Sequence, residues 1–222
     1  MKETSLVKEV DTYIDTTFIG EQPDLDFAIQ NAKKHNLPPI HVHPVFGKFL
    51  YTLAKMSNAK HILELGTLGG YSTIWLAKAL PEDGRIITVE HNGVYANVAE
   101  ENFKQSGVQN KIELKTGEAL KLLPTLEQTF DFFFIDANKE EYVDYIDWAI
   151  KLGKPGSVII CDNVIRNGGV LQEKTEKEYY AALQKFNAFI AKHPQLDSTV
   201  LPTMLALTGR DYLDGMSISI IK

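Results

Sequence analysis

Cysteine is almost missing from this chain of 222 residues: Cys161 is the single one. No intramolecular disulfide can form, which fits a reducing compartment. Cys161 ends an apolar run and reads as a buried core thiol. Long apolar runs are missing too. None reaches the ~18 residues needed to span a bilayer, and the opening MKETSLVKEVDTYI lacks the apolar centre of a signal peptide. A cytoplasmic protein without a membrane partner is expected. Positive charge is in deficit, with 23 Lys and Arg against 29 Asp and Glu, a net charge of −6. Phosphate backbones demand clustered Lys and Arg, so a nucleic-acid partner is not expected, whereas a cationic ligand remains open. The histidines (His35, His41, His43, His61, His91 and His193) show no zinc-like spacing.

What is present is ordinary for a globular domain: 44% hydrophobic and 23% charged residues, without repeats or linkers. The length suits one domain, since a single core serves up to about 250–300 residues. Residues 1–35 read as helical and stop at Asn36-Leu37-Pro38-Pro39. Pro44 opens a helix whose apolar face is Phe46, Phe49, Leu50, Leu53 and Ala54. From residue 60 the pattern becomes strand, helix, strand, helix. The strands are 61–65, 85–90, 111–115, 130–136 and 157–161, with helices at 71–80, 93–106, 120–123 and 140–152. Their continuous apolar character suits strands covered on both faces, so the class is α/β with a largely parallel sheet. A helix from about 173 to 192 carries the stripe Tyr179, Tyr180, Leu183, Phe186 and Ile190, which reads as core-facing. Two closing strands, near 199–207 and 216–221, are separated by residues 209–215 and suggest an antiparallel hairpin at the sheet edge.

In open α/β sheets, ligands bind beyond the carboxyl ends of the strands. Acids or amides gather at four of those ends: Glu64 beside Gly66, Glu90, Asp136, and Asp162-Asn163. The glycine loop Gly66-Thr67-Leu68-Gly69-Gly70 is not the G-x-G-x-x-G of a dinucleotide site. A carboxylate at Glu64 would repel a pyrophosphate and would suit an ammonium-bearing ligand; S-adenosylmethionine is one, with a sulfonium besides. Glu90 is placed to accept hydrogen bonds from ribose hydroxyls, which NAD sites also use. Asp136, Asp162 and Asn163 offer only oxygen, a donor set that selects Mg²⁺, Mn²⁺ or Ca²⁺ over Zn²⁺. Read alone, the same residues could be a helix cap and a turn, and Lys139 an exposed lysine at a helix start.

The run Ile62-Leu63-Glu64-Leu65-Gly66-Thr67-Leu68-Gly69-Gly70-Tyr71-Ser72-Thr73 resembles the first motif of the class I cation-dependent O-methyltransferases, the catechol and caffeoyl-CoA group. Phe134-Ile135-Asp136-Ala137-Asn138-Lys139-Glu140-Glu141-Tyr142 is similar to their fourth-strand motif. Asp162-Asn163 resembles their metal pair, and Gly117-Glu118-Ala119-Leu120 their adenine-side turn. The resemblance runs over about 38–172 and again from Asp214-Gly215 onward. It implies a Rossmann-like methyltransferase fold: a mostly parallel seven-stranded sheet with a C-terminal antiparallel hairpin and helices on both faces. One domain would span 1–222, with helices in 1–57 covering the donor and acceptor site and the Rossmann-like core in 58–222. It further implies that Glu64 and Gly66 hold the methionine end of S-adenosylmethionine and Ser72 its carboxylate. Val42 would line the donor pocket, Glu90 would hold the ribose, and Ala119 the adenine side. Asp136, next to the donor, would bind the cation with Asp162 and Asn163, and Lys139 would be the general base. The implied acceptor is a catechol-like or other small phenol, and the implied assembly a homodimer.

The chain departs from the family at Val45-Phe46-Gly47, where acidic or amide residues are usual, at His43 and Asn138, and in the length between Pro202 and Asp214. Val45, Phe46, His43, Asn138 and the longer segment lie on the acceptor side. Two rival readings follow from the adenosine-type signals alone: a nicotinamide-dependent oxidoreductase, and a non-catalytic adenosine-ligand binding module. The absent dinucleotide loop and the combination of Lys139 with the three oxygen donors weigh against them.

Overall fold

A computed structural model describes residues 5–172, 177–207 and 210–222. Three helices come first: α1 (Leu6–Ile14), α2 (Pro23–Lys34) and α3 (Pro44–Met56). Then strands and helices alternate: β1 (His61–Leu65), α4 (Tyr71–Ala79), β2 (Arg85–Glu90), α5 (Gly93–Gln105), β3 (Ile112–Thr116), α6 (Ala119–Leu122), β4 (Phe132–Ile135), α7 (Tyr142–Leu152) and β5 (Val158–Cys161). Helix α8 (Glu178–Lys192) and the strands β6 (Leu196–Leu207) and β7 (Arg210–Ile221) close the chain.

The seven strands form one sheet in the order β3-β2-β1-β4-β5-β7-β6. The first five run parallel, and β7 is antiparallel to both β5 and β6. Side chains alternate between two apolar layers, as a strand's twofold period requires. Leu63, Leu65, Phe133 and Ile135 pack with Ile146, Leu183 and Phe186 on one face. Ile62, Phe132 and Phe134 pack with Leu25, Leu50, Ile74 and Trp75 on the other. No helix among the described residues is long and apolar enough to cross a membrane.

The α/β class, the parallel strands and the C-terminal hairpin are as expected, and several boundaries differ. The N-terminal helical region is broken. A π-turn at Asp15–Ile19 ends in Gly20 at φ +67, and Pro23 starts α2 afresh; residues 1–4 lie outside the described residues. Strand β3 is not covered on both faces, because it is the sheet edge and its Ile-Glu-Leu-Lys-Thr alternates accordingly. The stripe on α8 buries Leu183, Phe186 and Ile190, while Tyr179 and Tyr180 are half-buried; its expected first residues, 173–176, lie outside the described residues. The largest correction concerns the hairpin. Residues 210–215, expected as connection, belong to β7, which pairs with β6 from Leu207↔Arg210 to Leu196↔Ile221. Gly215 is a strand glycine rather than a turn glycine: a Cβ there would sit 2.7 Å from the Ile165 side chain. Gly209 lies outside the described residues. The hairpin edge is β6, and β7 lies inside the sheet.

One buried amide fastens α2 and α5 to the glycine loop. The Asn102 side chain on α5 donates to the Gly69 carbonyl at 2.8 Å and accepts from Asn31 of α2 at 2.9 Å. An unpaired buried polar group costs about 1–3 kcal/mol. Asn102→Ala removes the side-chain donor of the Gly69 carbonyl and one acceptor of the Asn31 amide, which keeps Glu101 Oε2 at 3.1 Å, and is expected to lower stability by about that amount, read as a drop in the midpoint of chemical unfolding.

Candidate active site

Strand register determines the floor of the site. Leu65 pairs with Val89 and with Ile135, and Ile135 with Cys161. The next residue on each strand is therefore Gly66, Glu90, Asp136 and Asp162, which stand at one level across the sheet. Backbone hydrogen bonds continue the ladder into this row: Gly66 donates to Val89 at 3.0 Å, Asp136 to Leu65 at 2.9 Å and Asp162 to Ile135 at 3.0 Å. The order of connections reverses between β1 and β4, where α/β sheets open a crevice. A cavity of about 1220 Å³ lies there. Val42, Gly66, Ser72, Glu90, Ala119, Asp136, Lys139, Asp162 and Asn163 all line it. Gly66 is required where it stands: at φ +98, a Cβ would meet the Asp136 carbonyl oxygen at 2.2 Å.

Glu64 is the exception among the predicted residues. It is fully buried and stands behind the cavity wall. The Ser72 hydroxyl donates to its Oε1 at 2.7 Å, the Thr88 hydroxyl to Oε2 at 2.6 Å, and Thr73 also donates to Oε2. Glu64 thus reaches the cavity through Ser72. Burial pushes its carboxyl up to about 7, and the three hydroxyls pull the other way without cancelling that effect. Thr73 and Thr88 were missed in the sequence; their signal is three-dimensional, since β2 register and the first turn of α4 bring them to Glu64.

Glu90 is buried and already braces the glycine loop. Its Oε2 accepts from the Leu68 N–H at 2.8 Å and its Oε1 from the Asn92 N–H at 2.9 Å. Leu68 sits at φ +50, a left-handed backbone held by that carboxylate. Oε1 also meets His91 Nδ1 at 3.2 Å, and Oε2 retains a lone pair for a ligand hydroxyl.

On the other half of the floor, Lys139 is buried in the short turn Lys139–Glu141 before α7. Its Nζ donates to Asp136 Oδ1 at 2.7 Å, to the Tyr142 hydroxyl, and to the Asp162 carbonyl at 3.2 Å. The Asp162 carboxyl is driven well up, first by burial and then by the neighbouring Asp136 charge. Among the described residues no three His, Cys, Asp or Glu cluster to hold a metal; the candidate set is two acids and one amide. Asn163 is in left-handed backbone at φ +58, next to Arg166 and Asn167 at φ +51. This loop is fixed by buried Asp214 of β7, whose Oδ1 accepts the N–H groups of Ile165 and Arg166 at 3.1 and 2.9 Å. Arg166, Asn138, Thr203 and Tyr212 form the adjoining wall. His43 caps α3, accepting from the Val45 N–H, and His41 lies against the Tyr71 ring. Cys161 is inert in the core, its thiol pushed up to about 12 by burial.

Comparison with known proteins decides the family. The O-methyltransferase family profile matches residues 19–208. The chain belongs to the O-methyltransferase family. It is an S-adenosylmethionine-dependent enzyme of the class I cation-dependent group, and the oxidoreductase and binding-module readings fall away. A catechol O-methyltransferase of Niastella koreensis is 40% identical over 222 residues, covering 98% of each chain. One from Mycobacterium tuberculosis is 41% identical over 215 residues, covering 96% of each. The solved structure of an O-methyltransferase from Bacillus cereus in complex with SAH superposes with a TM-score of 0.92 at 37% identity, covering 96% of this chain and 97% of that one.

The buried Glu64 gives this methyltransferase a pH signature. A carboxyl raised from 4.5 to about 7 in the folded chain contributes stability below its unfolded value and loses it as pH rises through the folded one. Asp162 acts in the same direction. The melting midpoint of the donor-free enzyme should fall between about pH 4.5 and pH 7, and Glu64→Gln should make that fall shallower. An unchanged slope in a pH series of thermal melts would remove Glu64 from this account.

Proposed function

We propose that this enzyme moves the methyl group of S-adenosylmethionine to one hydroxyl of a catechol-like or other small phenolic acceptor, with help from a divalent cation. The observation that carries this reading is the row itself. A donor-type half (Gly66, Ser72, Glu90) and an oxygen-donor half (Asp136, Asp162, Asn163) share one cavity floor, with Lys139 buried beside the second. The SAH-bound Bacillus cereus enzyme supports the donor, and the two catechol O-methyltransferases support the acceptor class.

In the donor half, the Glu64 charge behind Ser72 favours the ammonium of the methionine end. The Ser72 hydroxyl and the Gly66 backbone meet its polar groups. Glu90 accepts from the ribose on the remaining lone pair of Oε2. Ala119, at the start of α6, and Val42, before α3, bound the adenosine side.

In the other half, Asp136, Asp162 and Asn163 hold the cation, Mg²⁺ in the first place and Mn²⁺ or Ca²⁺ as substitutes. The buried Asp162 carboxylate and the half-buried Asp136 carboxylate repel each other, and with an amide oxygen beside them they fit a hard divalent ion. Such an ion acidifies a hydroxyl bound to it, as it does water. Lys139 Nζ is the site that takes the acceptor hydroxyl proton, and the ammonium so formed has Asp136 Oδ1, the Asp162 carbonyl and Tyr142 Oη as its three hydrogen-bond acceptors. S-adenosylmethionine bound there would supply the methyl group: the oxygen pair would form the new oxygen–carbon bond, and the electron pair of the broken carbon–sulfur bond would leave with sulfur. Since the sulfonium already activates the carbon, the remaining task of the protein is alignment at near-attack distance.

A homodimer belongs to the same reading. Leu6, Val10, Tyr13 and Phe18 at the N-terminus and Met204 on β6 are exposed apolar side chains, the kind a second copy would cover.

Methyl transfer to caffeic acid, assayed with Mg²⁺ and again with EDTA, tests the whole reading. Mono-methylated product that vanishes with EDTA is expected; product that survives EDTA overturns the cation, and failure to bind S-adenosylmethionine in calorimetry overturns the site. Lys139→Ala should lower kcat by about 100-fold or more, the usual scale of general-base loss, while donor affinity stays within about twofold. Wild-type turnover in that variant would take Lys139 out of the mechanism.

A further inference from the structure

Lys139 is a long side chain on a short turn, and something must keep its nitrogen in place. An ammonium has three N–H groups, and three acceptors surround this one: Asp136 Oδ1, the Asp162 carbonyl and Tyr142 Oη. The first two belong to the row that faces the ligands. Tyr142 comes from behind it, as the first residue of α7, one turn after Lys139. Its hydroxyl is fully buried and does not line the cavity. While its oxygen accepts from Lys139, its proton goes to the Asp162 carbonyl at 2.9 Å or the Ile135 carbonyl at 3.1 Å. Those carbonyls lie at the ends of β5 and β4, at or next to the two acids of the row. One hydroxyl therefore joins Lys139 to both strand ends. The ring is held independently: it packs edge-on against Phe186 of α8, with centroids 5.1 Å apart, and against Tyr145.

We propose that Tyr142 is a positioning residue for the methyl-transfer step: its hydroxyl holds the Lys139 nitrogen at the Asp136–Asp162 edge. It touches neither donor nor acceptor. The proposal rests on the reading of Lys139 as the proton acceptor. A phenylalanine keeps the ring and its packing and removes only the oxygen. Without it, Lys139 keeps two acceptors from the row and loses the one that fixes it from behind.

The test compares kcat, acceptor KM and donor affinity for wild type, Tyr142→Phe, Lys139→Ala and the double variant, with caffeic acid and Mg²⁺. Tyr142→Phe should lower kcat by about tenfold with KM and donor affinity within about twofold, and should change kcat by less than about twofold in the Lys139→Ala background. Phe186→Leu, which disturbs the ring packing and leaves the hydroxyl, should lower the melting midpoint while kcat stays near wild type. The proposal is overturned if Tyr142→Phe has wild-type kcat, if its loss is equally large without Lys139, or if Phe186→Leu reproduces that loss. Wild-type kcat in Lys139→Ala alone would instead sink the underlying reading of Lys139, a result distinct from any of those three.

Discussion

Parallel strands in register deliver successive pieces of chain to the same level, and this constraint orders the whole site. Each strand contributes its apolar residues to two layers of core, then hands over one residue at the carboxyl edge. In this chain those residues are Gly66, Glu90, Asp136 and Asp162, tied by backbone hydrogen bonds that extend the ladder by one step. The distances between them follow from strand spacing, roughly 4.8 Å per strand, rather than from loop conformation. A site that must align two reactants gains most from such a frame, because small misplacements cost large factors in rate.

The same edge concentrates negative charge where water is scarce. Glu64 is answered by three hydroxyls, Glu90 by backbone N–H groups, and Asp136 by Lys139. Asp162 receives a backbone N–H from Asn163 yet still faces Asp136. Each acid is hydrogen-bonded, as buried charge requires, while Glu64 and Asp162 remain costly to ionise. Cationic ligands relieve that cost, so the apo fold holds a bias toward the ammonium and the divalent ion of the proposed reaction.

The parts legible in the sequence were those that local pattern controls. Apolar runs stopped by an acid or glycine marked β1, β2, β4 and β5, and the residues just past them proved to line one cavity. The hydroxyl nest around Glu64 was invisible, because Thr73 and Thr88 stand inside ordinary helix and strand text until register brings them together. The place of Glu64 behind the wall, reaching the ligand space through Ser72, was invisible for the same reason. The hairpin itself was legible and its length was not: residues 209–215 read as the connection, whereas β7 begins at Arg210 and Gly215 serves the close approach of Ile165. Tyr142 stood in the sequence only as the last residue of the fourth-strand motif; its hydroxyl partners at two strand ends distinguish it.

The cavity has two differently built sides. The proposed donor side rests on interior strands and on Gly66, whose neighbour is the backbone of Asp136 itself, so a side chain there would displace both halves of the row. The proposed acceptor side is bounded by the β6–β7 hairpin and the loop fixed by Asp214. Those pieces can lengthen or exchange side chains while the strand-end row stays put. The architecture is thus modular: new acceptors can be sampled by redrafting the hairpin arm without relearning how to hold the methyl donor.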